Sequence, residues 1–420
     1  MLSDRQREIV KATVPALRAH GETITRTFYG AMFSAHPELY NLFNPANQRD
    51  GGQARSLAAS VLAYAEHIDA LDRLGGMVER IAGKHASLEV QPGHYPIVGK
   101  YLLGAIQEVL GSAATPEILD AWAAAYGQLA DVMTGRERGL YEEGANRPGG
   151  WRGFKPFRVE RKQRESEVMV SFHLVPADGA PLPAHKPGQY LSVKVRPPGH
   201  PYEQIRQYSI SCAPNGRHYR VSVKREDAPA DVPGAPPGLV SNFLQSSVNE
   251  GDTLLVHAPV GDFVLDEESD RPVVLMSGGA GVTAVLSMLE HLAENGAREV
   301  VFLRGVRSRQ RHPFADHVRA LANRRPGIRG VTLYEKAGPG DVQGEHYDAV
   351  GRTTAENIRR YLPEGEADFY YCGPLGFMAA AEKALDDLGV PLARRRSEAF
   401  APDPSFAADS AGPRPQARAA

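Results

Sequence analysis

Proline is spread unevenly along this chain, and that distribution most constrains what it can fold into. Only seven of the 32 prolines fall in residues 1–150 and the other 25 fall in the remaining 270, so their density roughly doubles at that point. Proline breaks helix interiors and is tolerated at turns and strand edges, so a helical first third followed by a strand-and-turn remainder is expected. At 420 residues the chain can form about three domains, each burying its own core.

Local patterns sharpen this division. Ser3 with Gln6 three residues later reads as a capping box opening a helix. Amphipathic segments follow over about 22–35, 53–69, 77–90, 95–111 and 116–143, the last introduced by Thr115-Pro116, an N-cap and a first-turn proline. An all-helical domain is therefore expected over 1–145, ended by the linker Gly144 to Gly150. Short alternating runs such as Tyr190–Val195 and Tyr219–Lys224, separated by Pro and Gly turns, predict an antiparallel β-barrel over 151–265. From Arg271, apolar strands at 272–276, 299–303, 330–334 and 368–372 alternate with helical patterns, which predicts a parallel α/β domain over 271–400. Residues 401–420, rich in Ala, Pro and Ser, read as a disordered tail.

Composition excludes several functions. Lys plus Arg (48) nearly balances Asp plus Glu (50), leaving no electrostatic footprint for nucleic acid or an anionic membrane. No stretch approaches the ~18 apolar residues of a membrane span, and the opening residues lack the apolar centre of a signal peptide, so a cytoplasmic protein is expected. Nothing implies an obligate protein partner. The two cysteines, Cys212 and Cys372, are too few for a disulfide framework or an all-cysteine metal site. Redox chemistry would need a cofactor held by other residues.

In the helical third, histidine is the natural ligand for a prosthetic group, and five occur: His20, His36, His67, His85 and His94. His85 shares a face with Ile81 and Leu88. On spacing alone it reads more readily as a satisfied core histidine than as a ligand, with His67 its nearest rival. Gln53, Leu57, Val61 and Tyr64 form one stripe, so Gln53 either finds a buried partner or sits at a helix end in water.

Phe28-Tyr29-Gly-Ala-Met-Phe33, Pro37-Glu-Leu, Leu42-Phe43-Asn44-Pro-Ala-Asn47-Gln48, Lys84-His85 and Tyr95-Pro-Ile-Val98-Gly99 together resemble the globin domain of flavohaemoglobins. The resemblance implies haem b with His85 as the proximal iron ligand, Tyr95 and Glu137 hydrogen-bonded to it, and Tyr29, Gln53 and Leu57 on the distal side. Phe43 would pack against the haem. Without the resemblance, Glu137 would read as a solvated carboxylate. Tyr and Gln can donate hydrogen bonds to dioxygen carrying partial negative charge, and a carboxylate behind the imidazole raises its basicity.

Downstream, Tyr190, Arg206-Gln207-Tyr208-Ser209, Gly238-Leu-Val240-Ser241-Asn242-Phe243-Leu244 and Pro259-Val-Gly261-Asp262-Phe263 resemble the FAD domain of ferredoxin-reductase-type proteins. Arg206 suits a phosphate, Tyr208 the flavin ring and Ser209 its N5 edge. Ser241 reads as an N-cap whose helix start, with Val240, could receive the pyrophosphate. Gly279-Ala280-Gly281-Val282-Thr283-Ala284, after a strand and before a helix, suits a dinucleotide phosphate, and Cys372-Gly373-Pro374 resembles the nicotinamide-side signature. Cys372 alone could equally be a buried structural thiol. The resemblance makes Phe400, in Glu398-Ala399-Phe400-Ala401-Pro402, a gate over the flavin and Glu398 and Lys84 tuners of potential.

The chain departs from the family where Ala284, Arg304 and 399–402 stand. No acid follows the strand expected to end at Leu303, and Arg304, Arg307, Arg309 and Arg311 suggest that NADPH is accepted beside NADH, unless they are simply solvated. The resemblance implies a nitric oxide dioxygenase acting on nitric oxide, dioxygen and NAD(P)H. Alternatives are a haem-based hydroperoxide reductase, an oxygen or nitric oxide sensor, and a flavin reductase that has lost haem.

Overall fold

The computed structural model describes residues 2–44, 48, 51–229, 232 and 234–400; the expected tail, with Ala401 and Pro402, lies outside the described residues. The chain divides into two compact units: residues up to Ala145 with Pro198–Ile205, and Asn146–Pro197 with Arg206–Ala401.

Helices build the first unit: α1 (Asp4–Ala12), α2 (Val14–Ala35), α3 (Gly52–Glu66), α4 (Gly75–Ser87), α5 (His94–Leu110) and α6 (Pro116–Asn146). The capping box forms as expected, with Ser3 Oγ accepting the Gln6 N–H at 3.2 Å and Gln6 Oε1 accepting the Ser3 N–H at 3.0 Å. Before Pro116, the Thr115 hydroxyl accepts the Ile118 N–H at 3.4 Å. Helix α2 carries the apolar stripe, and its Ile24, Phe28 and Met32 are at most 2% exposed. Gly99 lets α5 approach α6, because a Cβ there would stand 2.6 Å from the Tyr126 ring.

The strands form two sheets. Strands β1 (Phe154–Arg164), β2 (Met169–Pro176), β3 (Tyr190–Val195), β4 (Gln204–Ser209), β5 (Tyr219–Lys224) and β6 (Thr253–His257) lie in the order β4-β3-β6-β1-β2-β5, with a short helix α7 (Leu239–Ser247) between β5 and β6. Inward positions alternate with outward ones, as Phe157 and Val159 are buried while Arg158 and Glu160 are exposed. An antiparallel bridge between Ile210, just beyond β4, and Val221 of β5 joins the two edge strands and gives the barrel.

The other sheet is parallel, in the order β10-β9-β8-β7-β11-β12, from β7 (Val273–Gly278), β8 (Val300–Val306), β9 (Ile328–Tyr334), β10 (Ala349–Val350), β11 (Asp368–Gly373) and β12 (Arg395–Ala399). Its helices are α8 (Val282–Asn295), α9 (Ala315–Arg324), α10 (Ala355–Arg359) and α11 (Leu375–Asp387). Both β7 and β11 are buried along their whole length, the pattern of strands covered on both faces. Chain order reverses between them, and the carboxyl ends there form the crevice where such sheets bind ligands. Strand β8 runs on to Val306 instead of ending at Leu303, and so carries Arg304 inside the sheet. Among the described residues, no helix is long and apolar enough to cross a membrane.

Candidate functional site

Three helices bring His85, Tyr95 and Glu137 together. His85 lies in the last turn of α4, Tyr95 in the first turn of α5 and Glu137 in the second half of α6. Glu137 is 1% exposed, and its Oε1 accepts His85 Nδ1 at 2.8 Å and the Tyr95 hydroxyl at 2.5 Å. The Tyr126 hydroxyl, donating to the Tyr95 carbonyl at 2.7 Å, holds α5 in register with α6. Burial, and then the Glu137 carboxylate, hold the Tyr95 phenol far above its usual range, so it remains a donor. With Nδ1–H committed to a carboxylate, the imidazole carries its lone pair on Nε2, the tautomer a metal requires. His67 has only a backbone carbonyl behind it, its Nδ1 3.1 Å from the Ala63 carbonyl oxygen, where His85 has a buried carboxylate.

On α2, Tyr29 is 7% exposed, and burial pushes its phenol well up despite the Gln53 side chain bonded to it. Gln48 Nε2 donates to Gln53 Oε1 at 2.9 Å, which leaves the Gln53 amide N–H for Tyr29. Gln53, the second residue of α3, is therefore half-buried with two side-chain partners rather than left to water. Phe43 meets Tyr29 edge-on with ring centroids 5.9 Å apart. Leu57 is half-buried against the same core, as are Val61, Ile81 and Val98. Lys84 stays exposed, one residue before His85.

In the barrel, β4 presents Arg206, Gln207, Tyr208 and Ser209 beside β3, and Gln207 Nε2 donates to the Tyr190 hydroxyl at 3.4 Å. Burial lowers the Arg206 guanidinium and raises the Tyr208 phenol, each opposed by its attraction to the other. Gly261, at φ 122°, is needed because a Cβ would come within 3.0 Å of the Tyr190 ring. The expected N-cap is corrected: Gly238 caps α7, and Ser241 lies inside its first turn with its Oγ bonded to the Glu226 N–H at 3.2 Å and the Gly238 carbonyl at 3.3 Å. Val240 beside it is 2% exposed.

At the parallel crevice, Gly279 has φ 54° and Gly281 seats the start of α8 on β11, since a Cβ would lie 1.9 Å from the Cys372 carbonyl oxygen. Val282 and Ala284 are core side chains, and the Thr283 hydroxyl donates to the Ala280 carbonyl at 2.9 Å, so this turn offers a ligand its backbone N–H groups. Gly278 and Gly373 flank the Phe377 ring, which a Cβ on either would strike at 2.7 or 2.6 Å. Pro374 caps α11, and β12 pairs Glu398 with Cys372 and Ala399 with Gly373. Phe400 follows at 45% exposed. Cys372 is wholly buried with its thiol pushed well up by burial, and Cys212, 4% exposed, is pushed up to about 11 by the same cause.

The solvated or phosphate-binding reading of Arg304 is corrected, because the side chain is 5% exposed and donates to Thr332 Oγ1 at 2.9 Å. No acid directly follows β8; the first acid at this end of the sheet is Glu335, one step beyond β9, with Arg352 Nε 3.7 Å from its Oε1. Sequence reasoning missed Glu290 of α8: it accepts the Ala213 N–H at 3.0 Å, Arg220 at 2.7 Å and His317 at 2.6 Å. In an amphipathic helix nothing marks one glutamate as internal.

The donor sets fit the cofactors of a haem- and flavin-bearing oxidoreductase. His85 offers one imidazole nitrogen oriented by a carboxylate, and Ser209 Oγ is buried with no partner among the described residues. Residues 26–133 match the Globin family, and 275–383 match the Oxidoreductase NAD-binding domain. A flavohemoprotein of Deinococcus radiodurans is 60% identical over 97% of this chain and 99% of its own length. The solved flavohemoglobin of Malassezia yamatoensis, with bound FAD and heme, is 30% identical at a TM-score of 0.81, covering 95% of this chain and 99% of that one. The FAD/NAD-binding domain of a Vibrio cholerae nitric oxide dioxygenase covers 59% of this chain and 99% of its own at 40% identity and a TM-score of 0.52. The chain belongs to the flavohemoprotein family.

Proposed function

We propose that this protein is a nitric oxide dioxygenase that converts nitric oxide and dioxygen to nitrate with electrons from NAD(P)H, and that it detoxifies nitric oxide. Each nitrate formed takes up one electron, so one hydride serves two turnovers. Haem held by His85 would supply oxygen binding, FAD would split the hydride's electron pair, and the nicotinamide would deliver it. The observation that carries this reading is the Glu137 carboxylate, which takes hydrogen bonds from both His85 and Tyr95. A carboxylate behind the imidazole makes it a more basic ligand, which favours oxygen activation over reversible carriage. Tyr29 and Gln53 would orient dioxygen by donating to its negative end.

Ser209 would bond the flavin edge, Tyr208 stack on the ring, Tyr190 and Gln207 line it, and Arg206 face a phosphate. The backbone of 279–284 would receive the dinucleotide pyrophosphate, with 372–374, Glu398, Ala399 and Phe400 on the nicotinamide side. We take the haem domain as 1–145, the flavin barrel as 151–265 and the nucleotide domain as 271–400. Glu335, at the carboxyl end of β9, is suited to a ribose diol and favours NADH, while Arg307 and Arg309, exposed nearby, let NADPH be used. The need for a nicotinamide reductant supports a cytoplasmic protein that acts on small molecules without an obligate protein partner.

Nitric oxide consumption under air, with NADH and then NADPH, should yield one nitrate per nitric oxide, faster with NADH. Nitrous oxide as the product, or no consumption by haem-replete protein, would sink this reading.

A further inference from the structure

Helix α8 touches the flavin strand's continuation as well as the nucleotide turn. It starts at Val282, directly after residues 279–281, and carries Ser287 and Glu290 three residues apart on one face. Ser287 Oγ donates to the Cys212 carbonyl at 2.7 Å, and Glu290 Oε2 accepts the Ala213 N–H at 3.0 Å. Strand β5 holds the same stretch. Arg220 Nε donates to Ser211 Oγ at 3.1 Å, its Nη2 donates to the Ser211 carbonyl, and the Ser211 N–H donates to the Arg220 carbonyl at 2.7 Å. Ser211, Cys212 and Ala213 are at most 4% exposed. They begin two residues beyond Ser209, the last residue of β4.

Both holds meet at one carboxylate. Glu290 Oε1 accepts Arg220 Nη2 at 2.7 Å and His317 Nε2 of α9 at 2.6 Å. Burial pushes this carboxyl up, but the bonds and charges of His317 and Arg220 outweigh burial and hold it below the usual carboxylate range. An ionised carboxylate only accepts, so the His317 nitrogen facing it carries a hydrogen whichever charge the ring bears. The nitrogen that gains or loses a proton is therefore Nδ1, on a side chain 40% exposed to solvent. The charged groups around this ring are Glu290 from α8, Arg220 from β5 and Glu165, one residue past β1, whose carboxyl is raised by burial and opposed by the charges of Arg220 and His317. On α9 itself, Asp316 is paired with Arg319.

We propose that Glu290 and His317 are positioning residues that fix, through residues 211–213, where Ser209 stands, and that a proton on His317 tightens this hold. The proposal rests on the reading that Ser209 meets the flavin. With the ring protonated, Glu290 binds a cation from each side of the seam, Arg220 of the barrel and His317 of the nucleotide domain; with the ring neutral, only Arg220 is charged. Histidine is the side chain that makes this change between about pH 5 and 8. The seam therefore holds the flavin strand more firmly in mildly acid conditions. A partly exposed pair of this kind shifts an equilibrium by roughly two- to fivefold.

The test follows FAD release from full-length holoprotein, read as free-flavin fluorescence after dilution, from about pH 5.5 to about 8.5. His317→Gln keeps a neutral donor toward Glu290, and His317→Lys keeps a cation throughout this range; the thermal midpoint of each protein checks folding. Wild type should retain FAD like the Lys variant at the acid end and like the Gln variant at the alkaline end. The ratio of wild-type to Gln retention should thus fall roughly two- to fivefold across the range. In wild type, which needs no variant, added salt should speed FAD release more at the acid end than at the alkaline end. One common pH course in all three proteins, or equal salt effects at both ends, overturns the proposal and leaves the flavin site in place. A wild type that binds no FAD at any pH refutes the flavin reading and the proposal with it.

Discussion

Replacing Glu137 with Gln tests the proximal cluster by changing charge without changing shape. The carboxylate accepts His85 Nδ1 at 2.8 Å and the Tyr95 hydroxyl at 2.5 Å, and it is 1% exposed, so solvent does not screen it. A hydrogen bond to a charged group contributes about 1.5–3 kcal/mol and a neutral one about 0.5–1.5 kcal/mol. Glu137→Gln should therefore weaken the hold on His85 by ~1–2 kcal/mol, or roughly 5- to 30-fold in the retention of haem. Tyr95→Phe removes one donor and keeps the charge on His85, so its effect should be the smaller. The assay is haem loss to an excess of apo-globin scavenger, followed in the Soret band, with the thermal midpoint of the haem-free proteins as a control for folding. Unchanged haem loss in Glu137→Gln, or a larger effect from Tyr95→Phe, would refute the claim that charge behind the imidazole is what matters.

Glu290→Ala should slow flavin reduction at saturating NADH more than it raises KM. It removes the acceptor that ties α8 to Ala213 and Arg220, four residues beyond the Ser209 position and across from it on β5; an unchanged rate would show that this seam does not position the flavin strand. His185, 4% exposed and donating from Nε2 to the Cys212 carbonyl at 2.9 Å, is pushed down by burial from 6.5 to about 4. The unfolded chain binds that proton more readily, so the stability is present above about pH 6.5 and ~3 kcal/mol of it is lost as pH falls toward 4. Urea unfolding across that window should show the loss, and His185→Gln should flatten it.

Where local chemistry decides, the sequence was readable. Strands β3 and β5 occur at the residues expected from alternation, and α1 begins at the capping box because both halves of that device lie within four residues. The cluster around His85 was legible only through resemblance: Glu137 lies 52 residues away in the chain, and no spacing rule announces that its carboxylate turns inward. Ser241 misled because a serine before an apolar run looks like a cap, whereas Gly238 ends the extended segment first and leaves the hydroxyl to Glu226. Arg304 misled for a related reason. Charge predicts exposure, but β8 continues three residues beyond Leu303 and carries the guanidinium under a helix. Both errors concern where an element stops, which tertiary packing settles.

The close seating of Gly281 on the Cys372 carbonyl has a further consequence. It seals the thiol in the wall between α8 and β11, and Cys212 is enclosed as well, each held protonated by burial. Nitrosating agents and peroxides attack accessible thiolates, and this chain exposes neither of its cysteines to them. A catalyst that draws nitric oxide and oxygen to itself would thus be chemically inert toward its own reactants everywhere outside the haem pocket where thiols are concerned, and should stay active in conditions that inactivate thiol-dependent enzymes.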